Sequence, residues 1–282
     1  MNTTKSSIRD VLYEEPGPKT KKRVAVATAI SLVVLAVLLI LIIRQFYVTG
    51  QLNSKYWSIF TRYTTWRFLA QGLLGTIEVA VAAGFVTFAI GMLMMMGRIS
   101  AVRPLRWLCV ALIEVSRGIP TLLYIYFFLL AAPQIGLSLP AFWKITLAVS
   151  ISASGVVAEV LRSGVNAVPK GQREAAVSLG LRGRSVFFKI VFPQAFRYVI
   201  PALISELVIV LKDTTFAYVV NYADLMQNAK VLISNYDALL SVYLVAAVIY
   251  ILINYLLNRL SVAVAGRGKA PAPAAKQVGK EI

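Results

Sequence analysis

From residue 24 to residue 43 the chain carries no charged side chain. A helix of about 20 apolar residues crosses a bilayer core, and this run meets that length. In lipid every backbone N–H and C=O must be paired within the segment, which leaves helix as the solution for an isolated span. Lys19, Lys21, Lys22 and Arg23 precede the run and Arg44 follows it. The stretch is too long for the core of a cleaved signal, and no A-x-A site follows. We read 24–43 as a retained transmembrane helix. Five more apolar stretches follow at about 68–97, 107–132, 141–161, 198–220 and 238–258, the second of these interrupted by Gly118 and Pro120. The composition agrees, being 59% hydrophobic and 15% charged, against about 45–50% and about 25% in soluble domains. An ordinary globular enzyme, a disordered chain and a collagen-like fibre are excluded. The expectation is an all-α membrane protein with six transmembrane helices.

The chain holds 29 Lys and Arg against 12 Asp and Glu, a net charge of +17. With the N-terminus placed inside, the inner segments hold 21 cations and the outer ones six, with Arg117 and Lys212 left within apolar stretches. That asymmetry places both termini in the cytoplasm. It also assigns the basic excess to anionic lipid on the inner leaflet, so the lipid bilayer is expected as a partner and nucleic acid is not. Residues 1–23 read as a cytoplasmic tail. Residues 260–282, rich in Ala, Pro, Gly and Lys, read as a disordered cytoplasmic tail. Tyr63, Trp66 and Phe68 stand among cations in 61–69, which suits an interfacial helix or a plain loop. With no histidine and one cysteine, Cys109, no metal site and no internal disulfide are expected.

The long inner segment, 162–197, is the most structured of the connections by its residues. Pro169 and Gly171 break the incoming helix. Gln172 to Leu179 is a helical window with Glu174 in its first turn, where the helix dipole favours an anion, and Gly180 suits a left-handed helix end. Arg184 to Phe192 predicts a second short helix with an apolar stripe at Val186, Phe187, Ile190 and Val191, ended by Pro193. The small Ala175 and Ala176 permit close approach by a partner. On spacing alone, this hairpin rests on lipid headgroups or docks a protein.

Charges within a span cost at least about 2.5–3.5 kcal/mol each at its centre and rarely face lipid. The candidates are Glu78, Glu114, Arg117, Glu159, Glu206, Lys212 and Asp213. Glu114 and Arg117 are three apart on one helix face; they form a local ion pair, or Arg117 meets a substrate beside the helix break. Lys212 and Asp213 point about 100° apart and cannot simply neutralise each other. Glu206 and Asp213 share one face, and Ser205 and Lys212 the next. A polar stripe from Ser205 to Thr215 therefore lines a wet pathway or pairs with another helix. Glu159 closes a span rich in small residues and lies three residues before Arg162, its obvious partner. Tyr124, Tyr126, Phe127 and Phe128 read as packing.

The inner segment resembles the EAA motif of ABC importer permeases, carried here by Glu174-Ala175-Ala176, then Gly180, then Pro193. Lys170-Gly171-Gln172, Leu179-Gly180, Pro193-Gln194-Ala195, Arg197 and Pro201 are similar to the polar-amino-acid branch of that family. Gly72 with Thr76, Arg117-Gly118-Ile119-Pro120, Glu159 with Arg162-Ser163-Gly164, and Lys212-Asp213-Thr214 match its other short segments. The chain departs from it at Thr215 and Phe216, where Ser-Leu is usual. The first span is an addition, and with the Ala/Pro-rich tail it resembles the second permease subunit of actinobacterial glutamate importers.

The resemblance implies a five-helix permease core over 68–259 with a coupling loop at 162–197, preceded by one extra N-terminal helix. It implies ATPase coupling through Lys170, Gly171, Gln172, Glu174, Ala175, Ala176, Gly180 and Pro193. A substrate pathway would involve Arg117, Glu159, Lys212, Asp213, Thr214 and Thr215. The implied partners are a second permease subunit in a homo- or heterodimer, a cytoplasmic ABC ATPase dimer and an extracellular solute-binding protein. No catalytic residue is expected, and the chain lacks the G-x-x-x-x-G-K-[ST] phosphate loop. ATP–Mg then belongs to the partner ATPase, and no cofactor to this chain. The implied setting is the bacterial plasma membrane. The implied substrate is a polar amino acid, with glutamate or a related acidic or amide amino acid favoured. A basic amino acid, or an ion-coupled secondary carrier, are the alternatives.

Overall fold

The computed structural model describes residues 17–267, and every regular element among them is helical. The chain divides into two units, 1–56 and 57–282. The first holds α1, Pro18–Val48, which starts on a proline at its first position, where a missing N–H costs nothing. The helix extends past the expected span at both ends; at its start the flank at 19–23 is mostly lysine and arginine, which are good helix formers. None of its residues is buried. A helix apolar on every side suits lipid rather than water.

The second unit opens with a 3₁₀ turn, Ser58–Thr61, and α2, Tyr63–Arg98. The aromatic stretch at 61–69 thus joins the span itself, with Trp66 Nε1 donating to the Phe60 carbonyl at 2.7 Å. Next come α3, Arg103–Gly118, and α4, Thr121–Tyr126, the latter continued by π and 3₁₀ turns to Ile135. The two halves are bent by 98°. Ile119 is extended because Pro120 disfavours the helical region for the residue before it. Then follow α5, Ala141–Ala167; α6, Lys170–Ser178; α7, Gly183–Val186, with a π turn, Phe187–Val191; and α8, Phe192–Asp213, with a 3₁₀ run, Thr214–Val220. The chain ends in α9, Leu225–Tyr236, and α10, Leu239–Arg267. Five helical stretches are long and apolar enough to cross a membrane, or six if the bent pair counts as one span.

Two expectations change, and one connection gains a helix. Pro193 does not end the second hairpin helix. It stands second in α8 directly after the π turn, where the wider helical turn absorbs its ring and missing N–H, so helix runs from Gly183 to Val220. The segment 221–237, between the last two spans, holds α9. Its signal was legible: Asp224 caps the helix by accepting from the Gln227 N–H at 2.8 Å. Finally, α10 continues to Arg267, so residues 260–267 are helical and not tail. Residues 1–16 and 268–282, where the rest of the two tails was expected, lie outside the described residues.

Helix α5 is the centre of the bundle, buried around most of its circumference and packed on α2, α3 and α8. Small residues make this possible. A Cβ on Gly155 would strike Ser116 and the Ile113 carbonyl of α3, and one on Gly164 would strike Val199 and the Ala195 carbonyl of α8. Ser150 Oγ donates to the Ala83 carbonyl of α2 at 3.1 Å. Two apolar cores sit along this axis. One gathers Val79, Ile125, Ile145, Val149 and Val210; the other gathers Met95, Ile113, Leu161, Val191 and Val199. Between them α5 presents Ser150, Ser152 and Ser154, a hydroxyl layer midway along the helix.

Candidate functional site

The hairpin of α6 and α7 forms directly below the second core. Pro169 precedes α6, so the helix begins at Lys170 and Glu174 falls in its second turn, not its first. Gly180 takes φ 77°. Its N–H bonds the Val177 carbonyl at 2.9 Å, and the Leu181 N–H bonds the Ala176 carbonyl at 3.2 Å. This is a Schellman close, which glycine enters without the Cβ penalty. Ala176 is buried with Val186 and Val191, so its small side chain seats the hairpin on the chain's own body rather than facing a partner. Arg173 Nη2 adds a bond to the Val165 carbonyl at 3.0 Å, tying α6 to the end of α5. Lys170, Gly171, Gln172, Glu174, Ala175, Gly180 and Pro193 are exposed. So are Val177 and Leu179, at 60% and 82%. Two large apolar side chains held out on a pinned turn are what a partner surface would cover.

The charged residues of the spans form three groupings, from which Lys212, Glu206 and Glu78 stand apart. Glu159 is held by Arg98 of α2 and by Arg162, whose Nη2 lies 2.8 Å from Oε2. Two guanidinium groups on one carboxylate make a clamp between α2 and α5. Glu114 and Arg117 form a weak local pair at 3.6 Å and both are largely exposed. Asp213 accepts from the Thr121 hydroxyl at 2.7 Å, and Thr121 shares a further bond of 2.9 Å with Ser152. This joins the start of α4, the hydroxyl layer of α5 and the end of α8.

Lys212 turns away from Asp213. It lines a cleft of about 300 Å³ between α8 and α10 with Ser205, Val208, Asn254, Tyr255 and Asn258. Thr214 is buried and donates to the Leu211 carbonyl, while Thr215 is half-buried. Glu206 is buried at the edge of a separate groove of about 600 Å³ between α2 and α8, otherwise lined by apolar side chains and Thr87. The structure thus brings Asp213 to Thr121, while Glu159, Arg117 and Lys212 each have their own surroundings.

At the opposite end from the hairpin, α9 is fastened to α2. Thr76 Oγ1 accepts from the Leu225 N–H at 3.0 Å, and Asn228 Nδ2 donates to the Phe68 carbonyl at 2.7 Å. Gly72 and Gly75 leave the room that this docking needs. Asp224 is wholly buried, and burial pushes its carboxyl up to about 6 although backbone N–H groups oppose the shift. Tyr222 is pushed up to about 12 by burial and by donating its hydroxyl to Glu78. Sequence reasoning passed over Arg98, Thr121 and Asn228, whose partners lie far along the chain. It also passed over Asn254 and Asn258, although their spacing of four on an apolar helix was a readable polar stripe. Among the described residues no group of three or more His, Cys, Asp or Glu is placed to hold a metal ion.

A helical bundle built around one buried helix, with several spans long and apolar enough to cross a membrane and a pinned hairpin at one end, defines a multi-pass membrane fold. Residues 87–268 match the family described as the binding-protein-dependent transport system inner membrane component, and the chain belongs to that family. It is a multi-pass bacterial plasma-membrane transport subunit and not an enzyme. It is 35% identical over 216 residues to the glutamate transport system permease protein GluD of Corynebacterium glutamicum, covering 75% of this chain and 79% of that one. It is 34% identical over 194 residues to the probable glutamine ABC transporter permease protein GlnP of Bacillus subtilis, covering 68% and 89%. The arginine transport system permease protein ArtQ of Bacillus subtilis is 31% identical over 163 residues, covering 57% and 74%. Among solved structures, the crystal structure of an amino acid ABC transporter with histidines superposes with a TM-score of 0.69 at 29% identity, over 75% of this chain and 98% of that one. The inward-facing methionine transporter MetNI shares the fold, with a TM-score of 0.63 at 17% identity, over 74% and 100%.

Proposed function

We propose that the chain is the permease subunit of an ATP-driven ABC importer that moves a polar amino acid by alternating access, with glutamate or a related acidic or amide amino acid as substrate. One observation carries this reading: the hairpin at 170–191 is closed by the Schellman turn at Gly180, presents Val177 and Leu179 outward, and is bonded to α5 through Arg173. Such an element transmits force from a protein docked on it. We place the hairpin on the cytoplasmic side, because the cations concentrate in 162–197. A cytoplasmic ATPase pair binds there with ATP–Mg, and this chain holds no cofactor. A second permease chain completes the pathway, and a solute-binding protein delivers the amino acid on the other side. The relatives named for glutamate and glutamine support the acidic or amide class, as does Lys212, which has no ion-pair partner among the described residues. A basic substrate is the second reading, favoured by the arginine relative and by the buried Glu206.

The test is affinity purification of the intact complex through this chain, followed by ATP hydrolysis in liposomes across an amino-acid panel with the binding protein present. Stimulation by glutamate or glutamine is expected. Stimulation by arginine or lysine alone moves the substrate to the basic class. Uptake that persists without the ATPase and collapses with a protonophore overturns the ABC reading.

A further inference from the structure

We infer that the cleft between α8 and α10 is a carboxylate-binding site on the translocation pathway, with Lys212, Tyr255 and Asn258 as its donors. The inference rests on the transport reading above and deepens it, because α10 is a helix to which no site residue had been assigned. Lys212 is the one charged residue lining the cleft. It is exposed and has no ion-pair partner among the described residues. An unpaired ammonium within a span does not face lipid, because doing so costs at least about 2.5–3.5 kcal/mol at the helix centre.

The opposite wall is polar as well. Asn254 and Asn258 are four apart and share one face of α10. Ser205 and Lys212 are seven apart and share one face of α8. Two polar edges therefore meet across two helices whose remaining exposed residues, such as Ile209, Leu252 and Leu256, are apolar. Such a polar seam admits water more readily than the apolar surface on either side of it. Its chemistry favours an anion. The Tyr255 hydroxyl oxygen accepts from Arg259 Nε at 2.9 Å, which leaves its O–H to donate. The Asn258 amide is exposed. Asn254 is not among the donors: it spends its N–H on the Tyr250 carbonyl at 2.8 Å, and its buried Oδ1 is an acceptor. A volume of about 300 Å³ is at the small end of ligand sites and suits an amino acid. The larger groove beside Glu206 is lined almost wholly by apolar groups and offers a carboxylate nothing.

The experiment uses the whole complex in membranes and exploits Cys109, the one cysteine of the chain, which is buried. Asn258→Cys and Leu256→Cys are treated with methanethiosulfonate reagents of either charge. Asn258→Cys is expected to react, about tenfold faster with the anionic ethylsulfonate than with the cationic trimethylammonium reagent, and Lys212→Met is expected to erase that preference. Leu256→Cys is expected to stay unreactive. Glutamate supplied with the binding protein and ATP should slow labelling of Asn258→Cys. Labelling that is absent, or that prefers the cation, overturns the site whatever the substrate is. In parallel, Lys212→Met is expected to lower glutamate uptake about tenfold in a complex that still assembles and hydrolyses ATP. Unchanged uptake, or a complex that falls apart because Lys212 binds a partner chain, also overturns it. Failure of the transport reading is seen separately, as an Asn258→Cys complex that labels as expected while the wild-type complex takes up no amino acid.

Discussion

The Thr121 hydroxyl donates to Asp213 Oδ2 at 2.7 Å, across 92 residues of sequence. Thr121 is the first residue after the break in the bent span, and Asp213 is the last residue of α8. The bond therefore links the break in one span to the end of another. The N-terminus of α4 adds a partial positive charge that suits the carboxylate.

Thr121→Val removes a hydrogen bond to a charged group, worth about 1.5–3 kcal/mol. The purified protein should melt several degrees lower in detergent. Asp213→Asn should cost less in the Thr121→Val background than alone, and a double-mutant cycle that sums to zero rejects the coupling.

Gly180→Val places a β-branched residue at φ 77°, a conformation costing such residues roughly 1–2 kcal/mol. The hairpin close should loosen. Transport should fall well below wild type while membrane insertion stays normal. Leu179→Asp should do the same without strain, by placing a charge where the partner's apolar surface must sit. Amino-acid-stimulated ATP hydrolysis is the readout, and normal stimulation in both variants would reject the coupling role of the hairpin.

Glu159→Gln leaves Arg98 and Arg162 close together with no anion between them. Breaking a partly buried pair in this way costs up to about 3–5 kcal/mol, discounted here because the residues are only partly buried. A lower yield of folded protein, partly rescued by Arg98→Met, is the expected outcome on size-exclusion chromatography.

Asp224 gives a pH dependence with a definite sign. Its carboxyl lies near 6 in the folded chain against an ordinary 3.8. The folded state holds the proton more tightly, so stability is fullest below about pH 4 and is lost as pH rises through about 6. The whole change is at most about 3 kcal/mol. Asp224→Asn keeps the helix cap and should flatten the melting profile between pH 4 and 7. A wild-type profile that rises with pH over this range would contradict the burial of this group.

The spans were legible because lipid leaves the backbone one option, so run length alone placed α1, α2, α5 and α10. Gly180 announced the hairpin turn by its residue type. The partners of Glu159 and Asp213 were half legible. Arg162 lies one turn away and is implied by spacing, whereas Arg98 and Thr121 arrive from other helices by packing that no local pattern encodes. Pro193 misled because its usual meaning is a stop, and the π turn before it is invisible in sequence. Ala176 misled for a related reason: smallness signals close approach without saying to what.

Helix α5 meets α3 at Gly155 and α8 at Gly164 with no space for even one methyl group. It runs into the hairpin through only Val168 and Pro169. Close-packed interiors of this kind transmit strain rather than absorb it. The bundle therefore has the mechanics of a keyed shaft: a twist applied at the hairpin cannot be taken up as slip, and must reappear as rotation of the helices meshed around it.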